Sequence, residues 1–382
     1  MTRFHDLTNI WNTIKEMDLK PYRAEAQRGI RIAVAGKSGS GRHNLADQMR
    51  RDPARPSVVT VSPVLILDLD HMDEAFQRGS QADLIILMMD AGQIDIITEI
   101  QLARRWLNTG KKMLVVINQK TDSSNVESVT PSVSLDPWGT WGKKHVLAGD
   151  IEDSNFITQK FCALVVELVP DLWLALGRYF PLFRIPIAKQ MINDTCLSNA
   201  TYAISTSLAE VVPVLDIPLN VADMFVLTKA QAFLVYKLGL MLGFSFEWQD
   251  YIKEFSGVLG GGFFWRQIAR QLVGLIPAWG IVPKAAVAYA GTYVVGYVVL
   301  QWYLTGRHIS RKQMRELYSN AFAQGKILAD NLIKRLPKPQ PKKKPKKALP
   351  APRKITRCPR CGKRLAKGAS FCPYCGTDVI HK

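Results

Sequence analysis

Two stretches of this sequence place residues at spacings that suit chemistry. The first is Ala35-Gly36-Lys37-Ser38-Gly39-Ser40-Gly41-Arg42-His43-Asn44-Leu45, which follows an apolar run. Glycines let a backbone fold closely around an anion, and N–H groups at a helix start point positive charge at a phosphate. Such a loop is usually spelled G-x-x-x-x-G-K-[ST], where the lysine reaches the outer phosphates and the hydroxyl ligates Mg²⁺. Here arginine (Arg42) stands in the lysine place and histidine (His43) in the hydroxyl place. A guanidinium pairs well with phosphate oxygens, but its longer fork is no direct substitute for an ammonium. The shell of a phosphate cradle is therefore expected from Gly36, Gly39, Gly41, Arg42 and His43, with the electrostatic clamp for phosphoryl transfer weakened. Gly36-Lys37-Ser38 also spells GKS, but it follows the strand with no loop before it and is read as coincidence.

The second stretch is Cys358-Pro-Arg-Cys361-Gly, followed by Cys372-Pro-Tyr-Cys375-Gly, with ten residues between Cys361 and Cys372. Each C-P-x-C-G unit turns tightly enough for two thiolates to converge, and two such knuckles make a tetrahedral S₄ site that suits Zn²⁺. With all four positions taken by protein, no place is left for substrate or activated water, so the zinc is expected to be structural. Metal ligation needs reduced thiols, which implies the cytosol. Cys162 and Cys196 lie among apolar residues, where inert buried cysteine is the default. No other catalytic grouping stands out, and the catalytic residues are left unassigned.

These residues need elements to hold them. IRIAVA, VLILDLD, DLIILMMD, KMLVVIN and HVLAG read as buried strands of a parallel α/β sheet over residues 30–165, with ligands at the carboxyl ends of the strands. Asp68 and Asp70 end the second long strand, where an Mg²⁺-facing carboxylate is expected. After KMLVVIN comes Asn118-Gln119-Lys120-Thr121-Asp122, whose Lys120 stem could cover a guanine ring while Asp122 accepts its N1 and N2 protons. Residues 1–29 begin without a secretory signal, and Phe4, Leu7, Ile10, Trp11, Ile14 and Met17 fall at helical spacing, predicting an amphipathic helix.

Residues 181–325 are long apolar helical stretches. Ala285–Gly306 holds no charged side chain and is long enough to cross hydrocarbon, which takes about 20 residues. Phe225–Phe246 is a second candidate interrupted by Lys229 and Lys237. Ser198–Asp223 is apolar too, but carries Glu210, Asp216 and Asp223. A cytosolic sheet and a cytosolic tail require an even number of crossings or none; two spans in a hairpin are expected, against a buried core helix as the alternative. Arg307, His308, Arg311, Lys312 and Arg315 follow the clearer run, as cytoplasmic flanks do. Residues 336–354 are a Pro/Lys linker expected to be extended and able to attract anionic lipid, RNA or DNA. Residues 355–380 hold the cysteine knuckles. The formal charge of +18 is concentrated here, since no acidic residue occurs between Asp330 and Asp378.

The order of strands and loops over 30–165 resembles the Era/TrmE-like branch of translation-factor-type GTPases. Residues 181–325 resemble a YcjF-like hydrophobic domain of unknown function. The features carrying this are Pro213 to Asp216, Gln231, Gly239, Pro277, Gly280, Thr292, Tyr293 and Gly296. The tail is similar to small zinc ribbons. The resemblance implies a degenerate nucleotide-binding α/β domain using Gly36, Gly39, Gly41, Arg42, His43, Asp68, Lys120 and Asp122 toward GTP or GDP with Mg²⁺. It also implies an all-α membrane-associated module and a structural zinc at Cys358, Cys361, Cys372 and Cys375. The expected role is weak or vestigial nucleotide binding and recruitment of a protein partner through the ribbon at the bacterial cytoplasmic (inner) membrane. The alternatives are an active GTPase with a non-standard loop and a nucleic-acid adaptor working through the basic tail.

Overall fold

A computed structural model describes residues 18–53, 55–93, 95–119, 138–209, 221–251, 281–307, 309–335, 357–358 and 360–365. The chain divides into two compact units, Met1–Ile333 and Lys334–Lys382.

In the first unit the apolar runs form five parallel strands: β1 (Ile32–Gly36), β4 (Val64–Asp68), β5 (Leu84–Asp90), β6 (Met113–Asn118) and β7 (Val146–Gly149). They lie in the order β4-β1-β5-β6-β7. The central runs β1, β5 and β6 are continuous in sequence because both sheet faces are covered there, which leaves no polar-out alternation, whereas β4 and β7, read from the sequence as buried too, lie at the two edges of the sheet and are only partly buried. Ile32, Val34, Ile86, Met88 and Val116 face one core, while Ala33, Ala35, Ile85, Leu87 and Val115 face the other. On the second face Trp106 is fully buried on α4 (Ile97–Asn108), against Gly79 at the end of α3 (Met72–Gly79). A Cβ at Gly79 would stand 2.6 Å from the indole, so only glycine admits the ring there. A short antiparallel pair, β2 (Arg51–Asp52) with β3 (Arg55–Val59), follows α2 (Arg42–Arg50).

Strand register decides what meets at the carboxyl end. Gly36 is paired with Asp68 across β1 and β4, Asp90 with Asn118 across β5 and β6, and Asn118 with Gly149 across β6 and β7.

The first core runs without interruption from the sheet through Phe161 and Phe183 into the helices α8 (Arg184–Ala209), α9 (Val221–Leu242), α10 (Ile281–Thr305) and α11 (Arg311–Arg335). Before them α1 (Lys20–Arg28) docks on α9, where Arg23 Nε donates to the Tyr236 hydroxyl at 2.9 Å. It also docks on α7 (Trp173–Tyr179), where a Glu25 carboxylate oxygen accepts the Leu174 N–H at 2.9 Å and occupies a donor that a helix start leaves open. The amphipathic pattern from Phe4 to Met17 lies outside the described residues.

Helix α10 contains the apolar run from Ala285. Among the described residues it is the one helix long and apolar enough to cross a membrane, and 72% of its most apolar window is buried inside the protein. Gly296 lets α8 and α9 approach it: a Cβ there would stand 2.7 Å from Ile192 Cγ1 and 3.1 Å from Leu234 Cδ2. Thr292, fully buried at mid-helix, accepts hydrogen bonds from Asn199 Nδ2 of α8 at 2.8 Å and Gln231 Nε2 of α9 at 3.4 Å. The second candidate span coincides largely with α9, in which Lys237 is half-buried. Residues 210–220, which include Glu210 and Asp216, lie outside the described residues.

Candidate functional site

The glycine loop leaves β1 at Gly36 and enters α2 at Gly41. Gly39 and Gly41 hold φ of 83° and 91°, backbone that side-chain-bearing residues rarely adopt. Gly36 is fixed by crowding, since a Cβ would stand 2.8 Å from the Met88 carbonyl oxygen. His43 is exposed in the first turn of α2.

The loop's two cations are already engaged. Arg42 turns back over its own loop, donating from Nη1 to the Gly36 carbonyl and from Nη2 to Asp68 Oδ2 at 2.6 Å. Its side chain is 12% exposed, so the guanidinium is lodged in the loop and not displayed to solvent. The Asp68 carboxyl is held below its usual range, first by the bond from Arg42 and then by the Asp70 N–H at 3.1 Å. A depressed carboxyl keeps its stabilising contribution above the unfolded-state pKa and loses it only as pH falls through the lower folded value. The pair therefore persists throughout the neutral range. Lys37 is engaged as well: its ammonium lies 3.3 Å from Glu99 Oε1 and donates to the Asp95 carbonyl at 3.1 Å. Glu99 is fully buried on α4 and also accepts from Gln93 Nε2 at 2.6 Å. The GKS dismissed by spacing is a structural tie between loop and helix.

Two buried donors of the loop, Ser40 Oγ and Arg42 Nε, have no hydrogen-bond partner among the described residues. They are what an anion would satisfy, so the loop retains some fit to phosphate. Fit to Mg²⁺ is poorer: no hydroxyl stands after Arg42, and Asp68 already carries a guanidinium.

Sequence reasoning passed over Asn118. At the end of β6, 2% exposed, it donates from Nδ2 to the Ser40 carbonyl at 3.4 Å and accepts the Ile151 N–H on Oδ1 at 3.3 Å. It ties the glycine loop to the turn after β7 and stands 2.8 Å from where a Gly41 Cβ would be. The signal was an asparagine closing an apolar strand. Lys120 and Asp122 lie outside the described residues. Asp70 is exposed and contributes its backbone.

In the second unit, Cys358 and Cys361 are described, while Cys372 and Cys375 are not. Gly362, at φ 71°, donates its N–H to the Cys358 carbonyl at 2.9 Å, and the Cys358 N–H bonds the Lys363 carbonyl at 2.9 Å. Cys358 Sγ accepts the Arg360 N–H at 3.4 Å. Backbone donors aimed at a sulfur stabilise its thiolate, which is the form that ligates metal. The residues thus fit a zinc knuckle. In the other unit, burial pushes the Cys162 thiol up to about 12, and Cys196 is raised further still.

The model of a zinc-ribbon domain family matches residues 355–379. No curated protein matches the chain. The findings together describe a five-stranded parallel α/β sheet joined to a helical region, followed by a zinc ribbon, with zinc binding supported by the knuckle geometry and by the family match.

A thiol count checks this division. With a chelator and an alkylating reagent, the folded protein should lose its zinc and react at four cysteines, and Cys162 and Cys196 should react only after denaturation. Mass spectrometry reads the count, and fast labelling of either buried thiol in native buffer would contradict the burial described.

Proposed function

We propose that the chain is a membrane-associated, GTPase-like scaffold whose nucleotide loop is closed by its own arginine, and that it recruits a protein partner at the cytoplasmic face through its zinc ribbon. One contact carries the reading: the Arg42 guanidinium held between the Gly36 carbonyl and Asp68. A bound nucleotide needs the loop cation for its phosphates and the carboxylate for its magnesium shell, and here each neutralises the other. The strand order around a glycine loop after β1 supports the GTPase-like class, and ligands in such sheets sit at this end. The exchange of clamp for plug supports binding without turnover.

Helix α10 supports membrane association by composition. Because most of its surface is covered by α8 and α9, the bundle would seat in or on lipid together with α10, which is not a lone span. The orphaned Ser40 hydroxyl and Arg42 Nε favour residual anion binding over none.

Titration calorimetry of the full chain with GTP, GDP and ATP tests the reading. The expected outcome is at most millimolar affinity, about 4 kcal/mol of binding free energy, that does not change when Mg²⁺ is added. Micromolar, magnesium-dependent GTP binding, or hydrolysis lost on Arg42→Ala, would replace the scaffold with an active enzyme.

A further inference from the structure

The second unit is strongly basic. Lys334–Lys382 holds sixteen lysines and arginines against a single acidic residue, Asp378, so most of the chain's net +18 lies in this unit. Four thiolates around Zn²⁺ leave two negative charges, far fewer than the cations around them. On the described knuckle, Arg357 and Arg364 are opposite partners in an antiparallel bridge, and Arg360 stands at the turn between them; all three are exposed. Like charges directly opposite on paired strands are destabilising. None of the three pairs with a carboxylate among the described residues.

We propose that this unit docks on an anionic phospholipid surface, with Arg357, Arg360 and Arg364 contacting headgroup phosphates and the neighbouring lysine-rich segment 336–354 adding longer-range attraction. Guanidinium forks match phosphate oxygens two at a time, which fits arginine at all three knuckle positions. Anionic membrane surfaces attract such clusters, and the attraction decays within a Debye length. A nucleic acid would meet the same charges, but the sequence from Ala323 to Ser370 contains no aromatic residue, so the basic run lacks the stacking platforms that hold single strands. The proposal deepens the membrane-face reading above by naming what the tail itself binds.

Flotation of the full chain with vesicles tests it. Neutral phosphatidylcholine vesicles read association through the helical unit, and the increment on adding phosphatidylglycerol reads the tail. Substituting Arg357, Arg360 and Arg364 together by glutamate should cut that increment about tenfold at moderate salt and leave neutral-vesicle binding unchanged, while triple lysine should retain much of it. Zinc content reports whether the ribbon is intact; if the glutamate variant loses metal, a triple alanine variant serves in its place. Wild-type binding indifferent to phosphatidylglycerol would overturn the proposal, as would an undiminished increment in a zinc-loaded variant. Displacement from the vesicles by an equal phosphate amount of duplex DNA or RNA would also overturn it and assign the arginines to nucleic acid. Loss of neutral-vesicle binding alone would count against the helical unit and leave this proposal standing.

Discussion

Replacing Arg42 by lysine together with His43 by serine should give the loop magnesium-dependent nucleotide binding, with affinity rising at least about a hundredfold over the parent, or about 2.7 kcal/mol. The double change restores the spelling G-x-x-x-x-G-K-S from Gly36 to residue 43. Lysine presents one mobile charge on a flexible stem and cannot hold the Gly36 carbonyl and Asp68 in the way the guanidinium fork does. Asp68 would then be available to the magnesium shell, and the new hydroxyl would supply the missing ligand. The cradle needs no remodelling, because Gly39 and Gly41 already adopt positive φ and Asn118 already holds the Ser40 carbonyl. Calorimetry with and without Mg²⁺ measures the gain. A folded double variant that stays silent would mean that the loop's backbone is no phosphate cradle and that the arginine is not what closes it.

The same contact shows how far the sequence could be read. The three central strands were legible because burial on both faces writes continuous apolar runs such as Leu84 to Met89, and the edge strands β4 and β7 were legible as shorter apolar runs although they are only partly buried. The loop's glycines were legible from spacing. Arg42's partner was not, since nothing local joins residue 42 to residue 68; the register that sets Gly36 beside Asp68 is a property of the assembled sheet. Lys37 and Glu99 meet for the same reason, which is why a fragment dismissed by spacing proved to anchor the loop on α4. Asn118 was given no role beside Lys120 and Asp122, because counting along the chain cannot show that a side chain at a strand's end reaches across to two loops. For α10, composition gave the length and apolarity of the helix but not its neighbours: the same residues suit lipid or protein, and the burial against α8 and α9 appears only on folding.

The interior of that bundle gives the second large effect. Thr292→Val keeps the shape of the side chain and removes the oxygen that accepts from both Asn199 and Gln231, which are 3% and 6% exposed. Each stranded amide donor costs about 1–3 kcal/mol, so the variant should lose about 2–6 kcal/mol in urea or thermal denaturation, where a simple methyl-for-hydroxyl exchange at a wet site would cost almost nothing. The cost belongs to the orphaned partners and not to the threonine, which gives a control. Adding Asn199→Leu and Gln231→Leu removes the donors and should recover much of the loss, although the leucines alone would leave Thr292 bonded only to the Ala288 carbonyl at 2.8 Å. Recovery would show that the three polar groups act as one unit, whose value lies in fixing how α8, α9 and α10 slide against each other, a task that uniform apolar surfaces perform poorly. A variant as stable as the parent would mean that the amides find other partners and that the register of the bundle rests on shape alone, chiefly on the close approach that Gly296 permits.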